Sequence, residues 1–128
     1  MVWMLKRRGE ILLTVFVADD LWYWLTTEAA DSLLTGRDPY ADATLGAAQL
    51  AYWHDAIDRV ASRLEERTRA DLEAARRLPR DPEARRQVLG AMVTEALSRD
   101  PRVKTLGELA AAIDLARETG ATIEALGD

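Results

Sequence analysis

The 128-residue sequence predicts an all-α (mainly α) fold: a helical bundle of four to five helices in a single domain, 1–128, built around one long central helix. Three observations carry this. The stretch from Ala47 to Leu78 contains neither Gly nor Pro. Apolar residues recur at helical spacing through Trp22, Leu25, Ala29 and Leu33, through Leu50, Trp53, Ile57, Val60 and Leu64, and from Val88 to Leu97. Helix punctuation falls between these runs, with Gly36 as a C-cap and Asp81-Pro82 as a start.

The N-terminus admits two readings. Ile11 to Val17 is rich in β-branched residues, so Val2–Lys6 and Glu10–Val17 can form a hairpin turning at Arg8-Gly9. Nothing else in the chain reads as a strand, and an isolated hairpin is marginal in water. Helix throughout, from about residue 4 to Leu34, is therefore the preferred reading, with the hairpin as the alternative. The firm part of that helix is Asp20 to Leu34, with Asp19 as a natural N-cap if the helix begins there.

The long helix follows from near Asp42 or Thr44 to just before Pro79, ~48 Å over its uninterrupted part. Its seam breaks at Thr68, so the spacing predicts bundle packing and not an extended coiled coil. The next helix turns Val88, Leu89, Met92, Val93, Ala96 and Leu97 inward and stops at Asp100-Pro101. Thr105-Leu106-Gly107-Glu108 reads as a capping box opening the last long helix, which ends near Gly120, and Thr122 to Leu126 as one further turn.

Composition limits the function classes. A hydrophobic content of 48% with 30% charged residues describes a folded chain, not a disordered one. With no cysteine there is no disulfide or thiolate metal site, and a reducing, cytoplasmic setting fits. Lys6-Arg7-Arg8 before an eight-residue apolar run resembles a signal peptide only superficially, and Asp19-Asp20 interrupt the one candidate membrane span. The net charge of −5 is uneven. Residues 1–58 carry four bases against nine acids, residues 59–104 twelve against eight, and residues 105–128 one against five. Acidic helices folded over a basic one is the simpler reading of this distribution; a basic surface held out for a polyanion is the sharper one.

The most specific constellation is a line down the long helix: Tyr52, Ala56, Arg59, Arg63, Arg67, Ala70, Ala74 and Arg77. Like charges four residues apart repel by a few tenths of a kcal/mol. Such a track suits phosphate contacts with the tyrosine available for stacking; an intramolecular ion-pair face is the plainer alternative. Arg59, Arg63, Arg67, Tyr52 and Arg77 are thus the candidate nucleic-acid-binding residues. Leu21 to Leu25 cover most of a helix circumference, as in a central or interfacial helix, which makes Trp22, Tyr23 and Trp24 candidate interface residues. His54 and Asp58 share a helix face, but with no second histidine they suggest no metal site. No catalytic set and no cofactor motif is present.

Two acidic pairs at helical spacing, Glu28 with Asp31 and Asp55 with Asp58, resemble the magnesium-binding motifs of MazG-type nucleotide pyrophosphohydrolases, although the paired leading Glu is missing and the second motif opens with Asp. That resemblance implies an all-helical magnesium-dependent hydrolase and is the enzyme alternative. At the level of architecture, the long helix and its arginine track are similar to the helical small subunits of CRISPR effector complexes, which implies a non-catalytic subunit touching a nucleic-acid backbone. Thr105 to Leu126 has the apolar spacing of a helix-turn-helix, but its second half carries Arg117 against Glu118 and Glu124, a poor match to DNA. The sequence therefore predicts a non-catalytic binding or assembly subunit. Its partners are a protein or further copies of itself, with nucleic-acid backbone next and a small-molecule substrate least expected; a homo-oligomeric adaptor without nucleic acid is the remaining alternative.

Overall fold

A computed structural model describes residues 1–28, 42–75 and 77–127 of the chain. In chain order the elements are β1 (Val2–Arg7), β2 (Glu10–Phe16), α1 (Asp19–Glu28), β3 (Ala43–Leu45), α2 (Ala47–Ala75), α3 (Pro82–Arg99), α4 (Pro101–Thr119) and β4 (Thr122–Leu126). The fold is mainly helical but not all-α: the four strands form one antiparallel sheet in the order β2-β1-β4-β3. No helix among the described residues is long and apolar enough to cross a membrane.

The preferred helical reading of the N-terminus is corrected here. Arg8 and Gly9 both take positive φ, 52° and 82°, the two-residue turn whose twist matches a hairpin. β1 and β2 pair from Val2↔Phe16 to Arg7↔Glu10, with a bulge between Leu5 and Lys6. The hairpin is stable because it is not isolated. Thr122–Leu126, expected as a helical turn, is instead a strand that pairs along β1 and carries β3 on its other side. Gly120, left-handed at φ 70°, ends α4 and turns the chain back toward the sheet. The helix-turn-helix spacing is likewise overruled, because α4 runs unbroken through Asp114.

The helix starts follow side-chain capping. Asp81 accepts from the Ala84 N–H at 2.9 Å with Pro82 in the first turn, as expected. The capping box at Thr105 does not form. α4 begins a turn earlier, where Asp100 accepts from Arg102 N–H at 2.9 Å, and the Thr105 hydroxyl donates back to the Pro101 carbonyl at 3.1 Å inside the helix. Asp-Pro thus opens two helices by the same chemistry. Among the described residues the long helix spans Ala47–Ala75, 29 residues or ~43 Å, and Arg77 and Leu78, expected within it, lie outside. The expected helix as far as Leu34 and the cap at Gly36 lie outside the described residues.

One face of the sheet meets the helices. Trp3 and Leu5 of β1, Val15 of β2 and Ile123 of β4 are each at most 1% exposed, and α4 covers them with Leu109 and Ile113. The stripe Leu50, Trp53, Ile57, Val60 and Leu64 of α2 is buried as read, joined by Ala56. At the centre Trp3, Trp22 and Trp53 form a triad. Trp22 and Trp53 stack at 4.8 Å with their planes 12° apart, and Trp3 stands nearly perpendicular to both, at 6.2 and 5.7 Å. Trp3 Nε1 is buried without a hydrogen-bond acceptor among the described residues, which leaves aromatic contact as what holds the ring there.

Truncating Trp3→Ala should lower the unfolding free energy by about 3–5 kcal/mol, read from urea titrations. Trp3→Phe, which keeps a ring and removes the unpartnered N–H, should cost less. Equal losses from both Trp3 variants would show that aromatic contact alone does not hold this position.

Candidate functional site

α1 enters its first turn with Asp19 and Asp20, favourable charges for a helix N-terminus, and Asp20 Oδ1 accepts from the Leu21 N–H at 2.8 Å. It then runs beside α2. Its far end is fastened by the arginine track. Arg63 Nη1 donates to Glu28 Oε1, Arg59 Nε lies 3.8 Å from Oε2, and Arg59 Nη2 donates to the Glu28 carbonyl at 3.1 Å. The Glu28 side chain is only 8% exposed, while Arg59 and Arg63 keep 51% and 56% of theirs. A carboxylate between two arginines four residues apart turns their repulsion into attraction. Arg59 also satisfies a carbonyl at the end of the described helix, where a cation is favoured.

Arg67, one turn further along α2, behaves differently. Its guanidinium lies 4.4 Å from the centroid of the Trp24 ring, a cation–π contact, and it has no carboxylate partner among the described residues. It is exposed, as is Tyr23 at 64%. Across from it, Arg102 at the start of α4 is paired with Asp100 through Nε at 3.1 Å and Nη2 at 2.8 Å. Arg102's hydrogen bonds pull the Asp100 carboxyl below its ordinary pKa against an opposing effect of burial, and Asp100 in turn raises that of Arg102.

These groups line an open groove of about 420 Å³ walled by Asp20, Tyr23, Trp24, Thr27, Glu28, Arg63, Arg67 and Arg102. A second hollow continues from Asp20 and Arg102 past Asp100 and Arg99. Both groove carboxylates are engaged, Glu28 by two guanidiniums and Asp20 by the Leu21 amide. Both Arg63 and Arg102 have acidic partners. The arrangement is therefore suited to holding an incoming acidic group at Arg67 against the aromatic surface of Tyr23 and Trp24.

Of the residues singled out from sequence, Arg63, Arg67, Tyr23 and Trp24 come together here, and Arg59 is at the margin through Glu28. Tyr52 is exposed two turns before Arg59 and is not part of the groove. Arg77 lies beyond the end of α2, exposed, so the track does not extend to it. Trp22 is turned into the core at 2% exposure. Arg102 was not singled out from sequence; it sits 35 residues after Arg67 with no local signal to connect them. Of the two acidic pairs, Glu28 is held by arginines, Asp31 lies outside the described residues, and Asp55 and Asp58 are exposed on α2. Asp58 Oδ2 is 3.3 Å from His54 Nδ1, and the donor atoms of His54, Asp55 and Asp58 lie within 4.8 Å of one another. All three come from one stretch of α2, with His54 half-buried and both carboxylates exposed.

Comparison with family models, with curated proteins and with solved structures returns no match to this chain.

Replacing Arg59 and Arg63 together with Ala should destabilise the fold by about 1–3 kcal/mol despite the high helix propensity of Ala, because Glu28 would be left buried without a charged donor. Arg67→Ala should cost less than about 1 kcal/mol. Chemical denaturation of the two variants decides this, and a neutral double variant would mean the clamp carries no stability. The Asp100 carboxyl, lowered in the folded state, contributes stability that is present above its unfolded pKa of ~3.9 and lost as pH falls through the lower folded value. Urea midpoints followed downward from about pH 5 should drop more steeply for the native chain than for Asp100→Asn, which keeps a helix cap but cannot titrate.

Proposed function

We propose that the chain is a non-catalytic binding module that takes an acidic, aromatic-bearing segment of a partner protein into the groove between α1, α2 and the start of α4. The observation that carries this reading is Arg67: a guanidinium held over the Trp24 ring at 4.4 Å from its centroid, exposed, and without a carboxylate of its own among the described residues. Pre-ordering an arginine on an aromatic ring lowers the entropy lost when it binds an acid. Tyr23 beside it supplies the amphipathic surface that interfaces favour. The net charge of −5 weighs against a long polyanion more than against a short acidic segment, and the clamp uses two arginines of the track internally.

A nucleic-acid backbone, the role of a small helical subunit in a nucleoprotein assembly, is the second reading. It is favoured by the half-exposed heads of Arg59 and Arg63, which keep donors toward solvent. The magnesium-dependent hydrolase alternative has to draw Glu28 away from two guanidiniums, and the homo-oligomeric adaptor needs a self-contact elsewhere on the surface.

The test uses two probes against the full chain, followed by tryptophan fluorescence: a peptide alternating glutamate with tyrosine, and a single-stranded oligothymidine. The acidic peptide should bind, and Arg67→Glu should weaken it at least about tenfold with unchanged circular dichroism. Oligothymidine binding with a log–log salt slope of ~0.7 per phosphate contact, lost in the Arg59→Ala/Arg63→Ala variant, would instead support the nucleic-acid reading.

A further inference from the structure

β2 is an edge strand, and the one device on it that works against edge pairing is its bulge. From Glu10 to Phe16 it has no Lys, no Arg and no Pro. No strand pairs with its outer side among the described residues. Ile11, Leu12 and Phe16 stand 55%, 44% and 74% exposed, half of the exposed large hydrophobics among the described residues. Its bulge falls at Leu12, which interrupts pairing with β1 and leaves the opposite edge of the strand continuous from Leu13 to Phe16.

The charges at its two ends identify what pairs with it. The hairpin tip before β2 carries Arg7 and Arg8, both exposed, offset only in part by Glu10 opposite Arg7. Immediately after β2, Asp19 and Asp20 open α1, both exposed, the Asp19 side chain at 72%. A strand with a basic start and an acidic finish is complementary to itself when reversed. We propose that β2 pairs antiparallel with β2 of a second copy of this chain, about a two-fold axis near Thr14, so that Leu13 meets Val15 and Leu12 meets Phe16 of the other copy. Arg7 and Arg8 of each copy then lie against Asp19 and Asp20 of the other, at both ends of the contact. A parallel pair would place like charges together. The pairing joins two four-stranded sheets into one of eight strands and covers Ile11, Leu12 and Phe16 of both copies. It is isologous, so it closes at two copies. It shares only Asp20 with the groove, and the two surfaces can be tested apart.

Sedimentation velocity of the full chain over a concentration series reads the outcome. The native chain should form a dimer. The exposed charge reversal Arg7→Glu/Arg8→Glu should raise its dissociation constant at least about tenfold, because each of two symmetric ends changes from attraction to repulsion. Asp19→Arg should weaken the dimer as well, and mixing it with the Arg7→Glu/Arg8→Glu chain should favour a heterodimer over either homodimer, since one end then keeps the native charges and the other no longer opposes like charges. Circular dichroism verifies the folding of each variant, and the single replacements Arg7→Glu and Arg8→Glu serve if the double variant is unfolded. A native chain that stays monomeric at high concentration, a dimer indifferent to these reversals, or a mixture that fails to associate each overturns the proposal.

Discussion

The position of every surface in this protein depends on the packing of three indoles. Trp3 comes from the sheet, Trp22 from α1 and Trp53 from α2, and their mutual contacts join three elements that have no common backbone hydrogen bonding. Rings of this size bury a large apolar area and tolerate few alternative arrangements. Once Trp22 lies flat against Trp53, the rotation of α1 about its own axis is set. Trp24, two residues on, then faces the arginine side of α2, while Tyr23 faces solvent. The groove is thus a consequence of the core.

Electrostatics act on this scaffold as a second constraint. Among the described residues the acidic N-terminal flank meets the basic middle of the chain at one clamp, while Lys6–Glu124 joins the two flanks and Asp100–Arg102 lies within the middle. Glu28 sits between Arg59 and Arg63, Lys6 pairs with Glu124 across the sheet at 2.7 Å, and Asp100 holds Arg102. Exposed ion pairs contribute little each. The Glu28 clamp is the exception, because its acceptor is nearly buried while its donors remain half in water. That geometry spends two of the three central arginines on holding α1 and leaves Arg67, stacked on Trp24, as the cation with an unfilled polar edge among the described residues.

Much of the helical frame was legible in the sequence because it is written in local terms. The stripe from Leu50 to Leu64, the Asp81-Pro82 start and the apolar face of α4 follow from spacing and capping alone. The sheet was not legible for the opposite reason. β4 reads Thr-Ile-Glu-Ala-Leu, with Glu, Ala and Leu all good helix formers, and only the alternation of Ile123 and Ala125 into the core marks it as a strand. β3 is three residues long and carries no periodicity of its own. Without β4 the hairpin looked unsupported, although its Arg8-Gly9 turn and β-branched run were present. Asp100-Pro101 repeated a signal already recognised at residues 81–82, yet Thr105 and Glu108 offered a competing one. Within the site, Arg63, Arg67, Tyr23 and Trp24 stood out from sequence. Their convergence did not, because Glu28 meets Arg59 and Arg63 across 31 and 35 residues, a separation that no pattern along the chain encodes.

The central claim is that one helix face carries arginines in two different physical states: two clamped on Glu28 and one laid open on an aromatic ring. Two-dimensional NMR of the arginine guanidinium Nη–Hη groups distinguishes these states directly. The account predicts slowed hydrogen exchange at the Nη groups of Arg59 and Arg63, which Glu28→Gln abolishes at Arg63 and retains at Arg59, where the Glu28 main-chain carbonyl still accepts. It also predicts an upfield ring-current shift for the Arg67 side chain that survives Glu28→Gln and disappears in Trp24→Leu. Three arginines with equal, solvent-like exchange and unshifted resonances would contradict it.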